Sequence, residues 1–294
     1  MAISPLLRIG FTGLLLGLLM ARFGEAVLAR LLAAQPTWLA LALAITVAQT
    51  LLSAWRWRYT ARRLDLPLGG ADAVGEYYLG NLVNQLLPGG VLGDANRAWR
   101  HGRTASGLSP AFQAVVIERV SGQLAMLGAV MIALIHWPAD PPDWRHYAGA
   151  GTGLLLVLAT GGWLGRVHRP DDQPAWLARW RHAVGQALLQ RRVLGVQLAT
   201  SALVVASYVA VYACCLLAIG IEAPASVWLP LIPLILLAML IPLTVGGWGL
   251  REGAAAAIWP LAGLSAEQGI SGAVVYGLVC LIGSTPGLLT LLRR

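Results

Sequence analysis

Three pairs of charged residues stand where the surrounding sequence is apolar enough for hydrocarbon. Asp94 and Arg97 follow a Pro88-Gly89-Gly90 interruption, Glu118-Arg119 lie inside AFQAVVIERVSGQLAMLGAVMIAL, and Arg251-Glu252 come straight after Gly246-Gly247-Trp248-Gly249. A charge at mid-span costs about 2.5–3.5 kcal/mol on insertion scales, so each of these groups must find a partner. Three acids and three arginines can pair with one another in a static network. They can also face a watery cavity, where guanidinium, a planar fork that keeps its proton, matches phosphate bidentately. On that second reading Arg97, Arg119 and Arg251 hold a lipid phosphate, while Asp94, Glu118 and Glu252 orient them or carry a coupled proton. Neighbouring Glu118 and Arg119 point about a third of a turn apart, which favours bonds to different partners.

The elements that must position these groups are interrupted helices. EYYLGNLVNQLLPGGVLGDANRAWRHGR enters as an apolar helix, breaks at Pro88, Gly89 and Gly90, turns through Gly93 and leaves with charge. Backbone freed at membrane depth persists only when buried in protein or lining a cavity. Asn81, Asn84 and Gln85 fall at i, i+3 and i+4, which gives the entering helix one polar face. The later stretch PLTVGGWGLRE repeats the device with Pro242, Gly246, Gly247 and Gly249. Matching breaks in two halves point to an internal repeat with a substrate site between them.

The remainder of the chain is membrane protein. Of 294 residues 57% are hydrophobic and 12% charged, against roughly a quarter charged in soluble domains, and the mean hydropathy is +0.69. The net charge of +8 is carried by arginine without any lysine. Spread over loops between apolar spans, it reads as contact with anionic lipid headgroups, not nucleic acid. Cys214, Cys215 and Cys280 lie within apolar spans, and the five histidines (His101, His136, His146, His168, His182) show no ligand spacing, so neither a disulfide framework, a metal site nor a cofactor is expected.

In order, the pattern predicts a retained first span over 5–21, an amphipathic stretch over 22–36, and a span from Thr37 to Trp55 ending in the belt of Trp55, Trp57 and Tyr59 beside cytoplasmic arginines. A long helix follows to about Trp137, with Ser109 as its cap and Pro110 at its first position. A span over Tyr147–Leu164 comes next. Residues 166–192 form a cytoplasmic amphipathic linker with Trp176, Leu177, Trp180, Val184 and Leu188 on one face, suited to the membrane surface or a partner. Further spans cover Val193–Ile219, Val227–Val245 and Ile270–Leu292. The expected fold is all-α: one polytopic transmembrane domain over 1–294, seven or eight spans with re-entrant or broken helices, and both termini in the cytoplasm.

YLGNLVNQLLPGGVLGDANR (78–97), the pair Glu118-Arg119 and PLTVGGWGLRE (242–252), in that order, resemble the lysylphosphatidylglycerol synthase transmembrane family, also called the flippase-like domain. The resemblance covers essentially the whole chain. It implies a polytopic helical fold with re-entrant elements in a bacterial inner membrane. In the multiple peptide resistance factors it implies movement of lysyl-phosphatidylglycerol between leaflets. Those proteins also carry a soluble aminoacyltransferase domain, whereas this sequence stops at Arg294, so no aminoacylation is expected and the chain reads as a non-enzyme. The leading expectation is a transporter of an anionic phospholipid or lipid-linked headgroup. No GxxxxGK[ST] loop is present, so transport runs downhill or on proton or potential. The alternatives are a membrane enzyme or subunit acting on polyprenyl-linked sugars, with Asp94 or Glu118 as base, or a structural partner docking through 166–192. A homo-oligomer fits any of these.

Overall fold

The computed structural model describes residues 5–88, 90–105, 107–136, 174–241 and 243–292. Gly89, Pro242, the expected span over Tyr147–Leu164, the loop before it and the first residues of the linker lie outside these. The described residues are helical and contain no strand. They form α1 (Pro5–Leu32), α2 (Pro36–Arg63), α3 (Gly70–Leu86), α4 (Leu92–Thr104), α5 (Leu108–Ile135), α6 (Ala175–Val184), α7 (Arg191–Ala218), α8 (Ala225–Trp228), α9 (Leu231–Ala238), α10 (Leu250–Ile258), α11 (Ala266–Ser284) and α12 (Gly287–Leu292).

Among the described residues five segments are long and apolar enough to cross a bilayer: α1, α2, α5, α7 and α11 with α12. The first span and the amphipathic stretch after it are one helix, α1, with its large apolar side chains outward. Pro36 opens α2 at a position where a missing N–H costs nothing, after Gln35 in extended backbone. α5 starts two residues earlier than the sequence suggested. Its N-cap is Gly107 at φ 151°, with no side-chain cap, so Ser109 and Pro110 sit inside the first turn. Ser265 and Gln268 cap α11 reciprocally at 3.3 Å each way.

The remaining helices are too short to span alone. α4 and α10, of 13 and 9 residues, reach about 20 and 14 Å against about 30 Å of hydrocarbon. Residues 250–262 therefore do not cross by themselves. α3 pairs with α4 around the first break, and α9 with α10 around the second, so the two breaks join comparable pairs of short helices. α2 packs along α7, and with α3, α5 and α11 it surrounds the centre of the molecule. The larger core, built on Tyr212, Leu216, Trp228, Ile232, Trp259 and Tyr276, ties α7, α9, α10 and α11 together. A second core around Trp57, Tyr77 and Ala114 joins α2, α3 and α5.

The linker does not lie free in the interface. Trp180, Val184 and Leu188 pack with Ile117 and Leu64, while Trp176 remains exposed. A π-helical turn over Gly185–Leu189 follows α6 and leads into α7.

Candidate functional site

The two breaks touch. Pro88 and Val245 form an isolated antiparallel bridge, so stretches 157 residues apart share a backbone seam. Glycine makes this geometry available: Gly90, Gly246, Gly247 and Gly249 have φ of 62°, 56°, 78° and 85°, a region L side chains rarely adopt. At Gly246 a Cβ would also meet the Gln85 carbonyl at 2.7 Å. The Val245 N–H, freed from any helix, donates to Thr12 Oγ1 at 3.0 Å, so α1 closes the seam. Thr12→Val leaves that part-buried donor without its partner and is expected to cost about 1 kcal/mol, read as a lower unfolding midpoint in detergent.

Gly93 plays a different part from the one its sequence suggested. It lies in the first turn of α4, past the break, where a Cβ would stand 1.9 Å from the Gly80 carbonyl oxygen. It therefore marks the crossing of α3 over α4. Its N–H donates to Asn84 Oδ1 at 2.8 Å, and Asn84 Nδ2 donates to Asp94 Oδ2 at 3.2 Å. One asparagine on α3 thus sets both the start of α4 and the first acid.

From Asp94 an ion-pair network runs inward. Asp94 pairs with Arg97 at 2.9 Å and with Arg119 at 2.5 Å; Arg97 continues to Glu118 at 2.7 Å. Glu118, with no exposed surface, also bonds Arg56 of α2 and accepts from the Tyr77 hydroxyl at 3.3 Å. Arg97 is sandwiched between the rings of Trp57 and Tyr77, 4.8 and 4.6 Å from their centroids. Arg56 itself donates to Ser201 at 2.9 Å. Glu118 and Arg119 do bond in different directions, as their angular separation requires. The pair Arg100–Glu76, at 2.9 Å, flanks the network.

Arg56 was not legible as a site residue, because RWRYTARR reads as a cytoplasmic anchor. The signal lay one turn earlier at a time: Thr46, Gln49, Thr50, Ser53, Arg56 and Thr60 recur at helical spacing along an apolar span, and all are buried. A polar stripe of that kind has to face protein.

A cavity of about 560 Å³ opens beside this network, within the size range of ligand pockets. Asn81, Asn84, Gln85, Asp94, Glu118 and Arg119 line it from one side; Thr244, Gly246 and Gly247 of the second break line the other. Val91, Val120, Leu240 and Ile241, also in its lining, are 41–58% exposed. The cavity therefore has an apolar outer rim and a charged inner end.

The expected trio of arginines does not share this space. Arg119, 37% exposed, lines the cavity, and its Nε has no hydrogen-bond partner. Arg97, 1% exposed, is sealed beneath the network and is not part of the cavity wall. Arg251 and Glu252 are fully buried and bond each other at 2.5 Å outside the cavity lining. The separation has a local cause. Glu252 accepts the Gly249 N–H at 2.7 Å, which fixes it at the start of α10, where a carboxylate also suits the helix dipole. Arg251 then folds back on it, under Trp248 at 4.7 Å and behind Tyr276 at 5.5 Å, in space left because residue 277 is glycine. Tyr276 also lines the cavity. Among the described residues no group of His, Cys, Asp and Glu is placed to hold a metal.

No curated protein matches the chain. The profile of the lysylphosphatidylglycerol synthase TM region matches residues 6–287. That span takes in both breaks, the ion-pair network and the helices that hold them. The chain belongs to the lysylphosphatidylglycerol synthase transmembrane-region family, an all-α membrane protein of a family linked to lipid biosynthesis or flipping.

Proposed function

We propose that this protein is a lipid transporter that moves an anionic phospholipid or lipid-linked headgroup between leaflets of the bacterial inner membrane, with both termini in the cytoplasm. The observation that carries the reading is Arg119: a half-buried guanidinium inside a cavity whose rim is apolar. A headgroup phosphate entering from the lipid side exchanges with Asp94 on Arg119, while Arg97 keeps Asp94 compensated. The acyl chains stay outside, against Val91, Val120, Leu240 and Ile241. Arg97, Arg251 and Glu252 serve as fixed supports in this account, and Asn84 and Asp94 as the groups that aim Arg119.

The enzymatic alternative needs Asp94 or Glu118 as a free base, yet both carboxylates are committed to guanidiniums, which supports a carrier. The docking alternative needs the α6 face that Trp180 and Val184 use for internal packing.

Arg119→Gln removes the charge and leaves the inner network in place. Loss of hydrogen bonds between charged groups, about 1.5–3 kcal/mol, slows exchange about 10- to 100-fold. The measurement is dithionite quenching of fluorescent phosphatidylglycerol in proteoliposomes, with the unfolding midpoint as a check on folding. Exchange at the wild-type rate by a folded variant overturns the reading.

A further inference from the structure

Among the described residues the charges beside the cavity do not cancel. Arg56, Arg97 and Arg119 form one connected set with Asp94 and Glu118, so three guanidiniums meet two carboxylates. The flanking pair Arg100–Glu76 and the sealed pair Arg251–Glu252 are each neutral and leave the excess unchanged. Among the described residues Asp94 and Glu118 are the acids in the cavity lining, and both are committed to guanidiniums. Asp94 accepts from Arg97, Arg119 and Asn84; Glu118 accepts from Arg56, Arg97 and Tyr77.

An excess positive charge in a poorly hydrated site draws one negative charge and repels a cation, because the low dielectric strengthens both effects. An ammonium entering here finds, among the described residues, no uncommitted carboxylate, and it meets Arg119. Elsewhere the lining offers neutral groups instead. Gln85 Oε1 and Thr244 Oγ1, both in the lining, are buried with no hydrogen-bond partner, and Thr244 is 2% exposed. Orphaned polar atoms of this kind are costly unless something eventually bonds them.

Resting on the lipid-transport reading, we infer the headgroup class: a phosphodiester with a single net negative charge, bearing hydroxyls and no amine. Arg119 takes the phosphate, and Gln85 and Thr244 take the hydroxyls. Aminoacylated and other amine-bearing headgroups are poor ligands for this chain. The same phosphodiester chemistry exists on a water-soluble glycerophosphodiester; the apolar rim selects the form that carries acyl chains.

The test is binding to the purified full chain in nanodiscs of phosphatidylcholine, followed by thermal shift. The probes are phosphatidylglycerol, phosphatidylethanolamine and lysyl-phosphatidylglycerol, all with short chains, and glycerophosphoglycerol without chains. Phosphatidylglycerol is expected to bind at least about tenfold more tightly than either amine-bearing lipid, and the chainless headgroup not to compete. Gln85→Glu supplies the missing carboxylate and is expected to narrow the preference to within about threefold. Gln123→Glu makes the same change at an exposed lining position, without burying the new charge. Equal or tighter binding of lysyl-phosphatidylglycerol by the unmodified chain overturns the headgroup inference and leaves lipid transport standing. Binding of the chainless headgroup as tightly as the lipid overturns the lipid source. Failure of every lipid to bind overturns both.

Discussion

Replacing Glu118 with alanine is expected to destabilise the protein by about 3–5 kcal/mol, the cost of leaving buried charge without its counter-ion. Glu118 ties α5 to three other helices: it bonds Arg56 of α2 and Arg97 of α4, and takes the Tyr77 hydroxyl of α3 as well. Without it, two guanidiniums that are 3% and 1% exposed face each other with only Asp94 nearby. The readout is the unfolding midpoint in detergent and the yield of monodisperse protein. Glu118→Gln keeps the volume and one acceptor, so its loss should be smaller than that of alanine. Adding Arg56→Met to Glu118→Ala removes the stranded cation and should recover part of the loss. A Glu118→Ala protein as stable as the parent would mean that the network does not hold these helices together.

A second large effect is expected from a single methyl group. In Gly93→Ala the new Cβ would lie 1.9 Å from the Gly80 carbonyl oxygen and 2.7 Å from its carbon. Those are backbone atoms, so no side chain can rotate away, and α3 and α4 must move apart. Overpacking of this kind costs about 1–3 kcal/mol or more. The shift also drags Asp94, the next residue, off Arg119, so leaflet exchange should fall together with stability. The reciprocal change, Gly80→Ala, places its Cβ 3.4 Å from the Gly93 carbonyl oxygen and 3.7 Å from Arg97 Cδ, which small adjustments can absorb. Comparing folded yield of the two variants checks the geometry: equal tolerance of both would contradict the crossing described here.

The sequence announces its breaks because glycine is the residue that takes positive φ without strain. The double glycines at 246–247 and the Pro88 turn were readable for that reason, as were the apolar lengths of α2, α5 and α7. That the breaks meet was not readable: an antiparallel bridge between Pro88 and Val245 depends on how two helix pairs pack, and no local pattern encodes it. The charged pairs illustrate both outcomes. Glu118-Arg119 sits in mid-helix, where successive side chains diverge, and its partners Arg56, Arg97 and Asp94 come from other helices or turns. Arg251-Glu252 has the same adjacency at a helix start, where the acid turns back to cap the backbone and the arginine follows it. Sequence shows charge in both places; only the position within the helix decides whether that charge reaches the cavity.

The grip of α1 on the second break bears on the order in which the protein can assemble. α1 packs chiefly on α10 and α11, Thr12 receives the Val245 N–H, and Leu15 lies against Gly249. All of these partners are synthesised more than 230 residues after Thr12. α1 must therefore wait in lipid, held there by its own apolar surface, until α10 and α11 have been made. Contacts so distant along the chain form late. The seam between the breaks, and the cavity it walls, then close late in folding.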